Sequence, residues 1–183
     1  MTLLESLNLS LGASAQDFSL QGIDGKTYTL GSFVDKKVLI LVFMCNHCPY
    51  VQPLWRRWND LQAKFGERGV QLVGINPNTA NIEYEDETME KMKEYAEEFE
   101  MNFPYLEDVN QSVAKAYQAQ CTPDIYVFDE KRELTYHGRV DDNFRDPEAV
   151  TREELAEAIE ALLVGEKPAE EQNPSMGCSI KWV

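Results

Sequence analysis

Basic residues are scarce in this chain. Lys and Arg number 17 against 32 Asp and Glu, a formal charge of −15. Such a surface repels phosphate backbones and anionic lipid heads, which excludes nucleic acid and a membrane surface as expected partners. Long apolar runs are lacking too. The longest, Val38 to Met44, has the length of a strand, far short of the ~20 residues that span a bilayer. No Lys or Arg precedes Glu5, so the leucine-rich opening and Gly12-Ala13-Ser14-Ala15 are not expected to act as a signal peptide. A cytoplasmic location is the expectation. Cysteines number four, and with 43% hydrophobic residues the 183-residue chain needs no disulfide staple. In a reducing compartment such cysteines are catalytic or metal-binding more often than structural. There is no Gly-rich phosphate loop, no Ser/His/Asp arrangement, no internal repeat and no low-complexity tract.

What is present reads as one α/β domain over residues 1–165, with a polar linker and tail over 166–183 that pack on the same domain. Leu3 to Leu11 reads as a short amphipathic lead-in. Asp17 to Leu20 and Lys26 to Leu30 alternate around Asp24-Gly25, the pattern of an N-terminal β-hairpin. The unbroken run Val38 to Met44 is a strand buried on both faces. A helical stretch from Tyr50 to Phe65 and a strand from Val70 to Asn76 follow, so the two strands are expected to be parallel. Thr88 to Glu100 and Gln111 to Gln118 read as helices. Asp124 to Asp129 and Glu133 to Val140 read as antiparallel strands. Thr151-Arg152-Glu153-Glu154 has the pattern of a capping box opening a helix to Val164. The order implies a mixed central sheet with helices on both faces. Trp55, Trp58, Met89 and Met92 read as packing, and Glu85-Asp86-Glu87 and Glu97-Glu98 as solvated faces.

The chemistry is expected in Cys45-Asn46-His47-Cys48, directly after the most buried strand. Residues at i and i+3 of a helix have Cβ atoms about 5–6 Å apart, and a disulfide needs about 3.8 Å, so a small adjustment closes the bond. A helix N-terminus favours a thiolate, and chemistry collects at the carboxyl ends of strands in open α/β sheets. The usual division of labour makes Cys45 the exposed attacking thiolate and Cys48 the resolving thiol, with His47 favouring the anion. A Cys₄ zinc site from Cys45, Cys48, Cys121 and Cys178 has only one short pair to support it. No metal and no cofactor are expected.

These residues resemble the thioredoxin-like superfamily and, within it, the peroxiredoxin-like, AhpC/TSA-related branch of small redoxins, here with a C-x-x-C motif. The likeness runs through Asp17-Phe18-Ser19-Leu20 with Asp24-Gly25-Lys26, Phe43 to Tyr50, Thr122-Pro123-Asp124, Gly138 to Asp142 and Gly177 to Trp182. It implies a thioredoxin-like fold and a cis peptide before Pro123, with that loop packed on the dithiol and offering backbone groups to a partner chain. Asn46, His47, Pro49, Cys121, Thr122 and Pro123 would line the site. Arg139 and Cys178 are auxiliary candidates, Cys178 either as a resolving thiol that folds back or as part of a docked flap. Three departures stand out. Leu39 holds the place of the buried acid of thioredoxins, so Cys48 needs another group or water for proton transfer. Met44 stands where thioredoxins have tryptophan. Leu41 and Cys45 replace the proline and threonine of the peroxiredoxin Pro-x-x-x-Thr-x-x-Cys pattern. The resemblance implies a thiol–disulfide oxidoreductase acting on protein or small-molecule thiols and disulfides. A thiol-dependent peroxidase consuming peroxide and a non-catalytic redox sensor are the alternatives.

Overall fold

A computed structural model describes residues 2–7, 9–81 and 83–183. Its elements in chain order are β1 (Leu3–Glu5), β2 (Ser19–Gly22), β3 (Thr27–Thr29), β4 (Val38–Phe43), α1 (Trp55–Phe65), β5 (Val70–Asn76) and α2 (Met89–Glu98). β6 (Tyr105–Glu107), α3 (Ser112–Ala116), β7 (Cys121–Thr122), β8 (Asp124–Phe128), β9 (Leu134–His137), α4 (Glu154–Leu163) and β10 (Met176–Ser179) follow. Among the described residues, no helix is long and apolar enough to cross a membrane.

Seven strands form one mixed sheet in the order β3-β2-β6-β5-β4-β8-β9. β4 is parallel to β5, with Val38 opposite Val70 and Phe43 opposite Ile75, and antiparallel to β8. Every residue of β4 is buried because both faces of the sheet are covered. Val38, Ile40 and Val42 pack with Trp55, Trp58 and Phe65 of α1, Met92 of α2 and Leu155 and Ile159 of α4. Leu39, Leu41 and Phe43 pack on the other side with Phe18, Phe33, Val113 and Ala114 of α3, and Ile180. The β2–β3 hairpin turns at Gly25, whose φ of +79° suits a residue without Cβ.

Four expectations change. The leucine-rich opening is a strand rather than an amphipathic lead-in, because β10 returns to pair with it, Leu3 opposite Cys178. Together β1, β10 and β7 make a second, three-stranded sheet. The helix after the dithiol starts later than Tyr50. A turn and a single 3₁₀ turn at Gln52–Leu54 precede α1. Pro49 and Pro53 explain the delay, since each lacks an N–H and disfavours helical geometry in the residue before it. The capping box at Thr151 does not form. Thr151 Oγ1 hydrogen-bonds Asp142, Glu153 caps α4 without a side-chain bond, and Glu154 turns inward to Arg139 and Asn173. Glu87 is buried, not solvated; its partners are described below.

Candidate active site

β4 ends at Phe43, and Met44 keeps the parallel register by donating to the Ile75 carbonyl at 2.9 Å. The chain then leaves the sheet at its carboxyl edge through Cys45 to Cys48. Asn46 pins this loop. Its side-chain amide donates to the Asp86 carbonyl at 2.6 Å, its Oδ1 accepts from the Tyr105 hydroxyl at 2.9 Å, and its carbonyl accepts from Gln52 at 3.0 Å. From the other side comes β7, running into the cis Thr122–Pro123 bond. Thr122 Oγ1 lies 3.3 Å from Cys45 Sγ, and the Thr122 carbonyl oxygen lies 3.0 Å from Cys48 Sγ. β10 pairs antiparallel with β7, Cys178 opposite Thr122, and sets Cys178 Sγ 3.0 Å from Cys48 Sγ. Gly177 allows this approach, since a Cβ there would stand 2.0 Å from the Thr122 carbonyl oxygen. All four cysteines are thiols and all four are buried.

A carboxylate sits behind the loop. Glu87 is 1% exposed. It accepts from the backbone N–H of Asn46 at 3.1 Å and of His47 at 2.8 Å, from Asn76 Nδ2 at 2.6 Å, and pairs with His47 Nδ1. The His47 ring stacks on Tyr84 at 4.7 Å, and its Nε2 is buried without a partner. His47 therefore serves Glu87 rather than a sulfur. Sequence reasoning missed Glu87, one of three consecutive acids. One signal was available: Thr88 caps α2 by accepting from Lys91 N–H at 3.2 Å. The residue before such a cap lies at the end of the sheet where strands finish and helices begin. Glu87 thus places a buried acid behind the loop, while the Leu39 position carries none.

The sulfurs are not electrically equivalent. Burial, the hydrogen bond it donates to Cys48 and the negative charge of Glu87 hold the Cys45 thiol well above its ordinary range. Cys48 is lowered to about 5, first by the bond from Cys45, against the opposing effect of burial, and then by bonds from the Cys178 thiol, the Cys178 backbone and Thr122. Burial, followed by the bond it gives Cys48, pushes Cys178 up to about 12. Cys121 is raised by burial and then by the charge of Asp124. Its Sγ lies 3.4 Å from the Pro123 carbonyl. The expectation of Cys45 as an exposed thiolate is corrected as to its exposure. Neither Cys45 nor Cys48 is exposed, and it is Cys48 whose pKa is drawn down. No α-helix starts at Cys45 to favour a charge there.

The other expected residues separate. Pro49 is exposed in the turn after Cys48. Arg139 does not serve the sulfurs, because Glu154 engages it, Nε to Oε2 at 2.5 Å. It borders a cavity of about 560 Å³ shared with Tyr50, Pro123, Phe144 and Met176. The donor atoms of Cys45, His47 and Glu87 lie within 4.8 Å of one another, the single such group among the described residues. His47 and Glu87 use those atoms on each other, and the four cysteines together do not form a ligand set.

Known proteins resemble this chain to different depths. An uncharacterised conserved protein of Geobacillus kaustophilus is 40% identical, over all of this chain and 97% of that one, with a TM-score of 0.94. A putative thiol:disulfide interchange protein DsbE of Chlorobium tepidum, 19% identical, covers 86% of this chain and 98% of its own, with a TM-score of 0.65. That is a likeness of fold, and the fold is thioredoxin-like. The thiol-disulfide oxidoreductase ResA of Geobacillus kaustophilus is 24% identical over 132 residues, 71% of this chain and 70% of that one. The sequence pattern of the AhpC/TSA family matches residues 11–137, well over half of the 183, and the chain belongs to that family.

Proposed function

We infer that this protein is a thiol–disulfide oxidoreductase whose working pair is Cys45 and Cys48. The observation that carries the reading is the gathering of both sulfurs at the cis-Pro loop, Cys45 Sγ 3.3 Å from Thr122 Oγ1 and Cys48 Sγ 3.0 Å from the Thr122 carbonyl oxygen. A thiolate is the nucleophile of disulfide exchange. Cys48 attacks one sulfur of a substrate disulfide. The Cys48–sulfur bond forms, the substrate bond breaks, and the departing thiolate takes a proton. Cys45 then gives up its proton, equivalent to the one taken up by the departing thiolate. The Cys45 thiolate displaces the substrate from Cys48 and closes a Cys45–Cys48 disulfide. One disulfide is reduced to two thiols and one dithiol is oxidised.

The substrates are protein or small-molecule disulfides and thiols. Reduction of insulin by the reduced protein tests the reading, coupled to a dithiol that regenerates it. Activity should fall by orders of magnitude in Cys48→Ser and in Cys45→Ser combined with Cys178→Ser. Turnover that survives in both variants would overturn it. The peroxidase reading keeps one observation in its favour, the Cys48-Pro49 pair, whose thiol has a lowered pKa. Against it stand Cys45 in the threonine position and an Arg139 engaged by Glu154. Thiol-driven consumption of peroxide at a rate exceeding disulfide reduction would reverse the order of the two.

A further inference from the structure

We propose that Cys178 is a third redox thiol, which receives the disulfide from Cys45 by exchange at Cys48 and so ties the C-terminal strand to the active-site loop. The proposal rests on the oxidoreductase reading above and adds a partner to its chemistry.

Position carries the argument. Cys48 and Cys178 lie 130 residues apart in sequence, yet their sulfurs stand 3.0 Å apart. A disulfide bond is about 2.05 Å long, so roughly 1 Å of further approach joins them. The placement is fixed from both sides of β10. Ser6 N–H donates to the Ser175 carbonyl at 2.9 Å, and Ser179 N–H donates to the Thr2 carbonyl at 2.9 Å. Ile180 N–H donates to the Gln120 carbonyl at 3.1 Å, and Lys181 N–H donates to Asn78 Oδ1 at 2.9 Å. Gly177 has no Cβ to hold the strand off the Thr122 carbonyl. A tail serving merely as a cover needs neither a sulfur at this position nor a strand pressed so closely on the cis-Pro loop.

The step balances as an isomerisation. In the oxidised protein, Cys178 loses its proton and attacks Cys48 Sγ. The Cys48–Cys178 bond forms and the Cys45–Cys48 bond breaks. The electron pair of the broken bond stays on Cys45, which takes up a proton equivalent to the one Cys178 lost. No external oxidant or reductant enters, and one disulfide remains throughout. The product differs from its precursor in mechanics: the tail is covalently held over the loop, and Cys45 becomes the thiol left beside Thr122 and Glu87.

The test is disulfide mapping by mass spectrometry, after acid quenching and alkylation, of full-length protein equilibrated in glutathione buffers of graded potential. Wild type should contain both the Cys45–Cys48 and the Cys48–Cys178 linkages. Their ratio should stay constant across the buffers, because their interconversion consumes no electrons. In Cys45→Ser, oxidation should lower the titratable thiols from three to one, since one of the four cysteines is replaced. In Cys45→Ser with Cys178→Ser, no intramolecular linkage to Cys48 should form. A Cys45–Cys48 disulfide in wild type with Cys178 fully alkylated at every potential overturns the proposal and leaves the oxidoreductase reading standing. A ratio that changes with potential also overturns it. Finding neither linkage at any potential overturns both.

Discussion

Glu87 shows how one side chain sets the character of two others. Its charge lies beside Cys45 and raises that thiol, while its oxygens hold the Asn46 and His47 amides that shape the loop around Cys48. Glu87→Gln removes the charge and turns one acceptor into a donor facing N–H groups. Leaving buried groups unsatisfied costs about 1–3 kcal/mol, so urea unfolding should show a loss of that size. The Cys45 pKa should also move down, because the neighbouring negative charge is gone. Alkylation of Cys45 as a function of pH in a Cys48→Ser background measures it. A pH midpoint unchanged by Glu87→Gln would remove Glu87 from the account. Cys45, Cys48, Thr122 and Pro123 were legible in the sequence because their meaning lies in short contiguous patterns. Glu87 was not, because the Thr88 cap beside it marks a helix start but not a buried acid, and its burial is decided by residues a strand and a loop away. The choice of ionised sulfur was equally illegible, since Cys178 and Thr122 help make it from distant parts of the chain.

At the scale of elements, β10 is the piece on which the site's enclosure depends. Its contact with β7 is backbone on backbone, and the Gly177 position has no room for a methyl group. Gly177→Ala should push the strand away from Thr122. Overpacking of this kind costs about 1–3 kcal/mol, and each 1.4 kcal/mol is about a tenfold change in an open population. Alkylation of Cys48 at neutral pH should therefore speed up by roughly tenfold. An unchanged rate would mean that β10 does not control access. The central strand β4 could be read directly from Val38 to Met44, since burial on both faces leaves an unbroken apolar run. The hairpin β2–β3 was legible through Asp24-Gly25. β1 and β10 were not, because strands of three and four residues without alternation exist only through each other and β7. Helix α4 was found, but its opening was misjudged. The competing demand came from Arg139, which draws Glu154 inward.

Across the whole molecule, a large mixed sheet supplies rigidity and a small three-stranded sheet supplies a cover, with the sulfurs of Cys45, Cys48 and Cys178 where the two meet. The formal charge of −15 surrounds a site whose own anion is buried. Such an anion persists only where donors replace the water it has lost. Everything assigned to this protein's chemistry thus depends on Cys48 being ionised inside the folded, reduced chain. The most direct test follows the ultraviolet absorbance of the thiolate during acid titration of reduced wild type and of Cys48→Ser. Wild type should lose one thiolate with a midpoint near pH 5, well below the roughly 8.5 of a free cysteine, and Cys48→Ser should show no such step. A wild-type curve with no thiolate below neutral pH, or the same step in Cys48→Ser, would contradict the account.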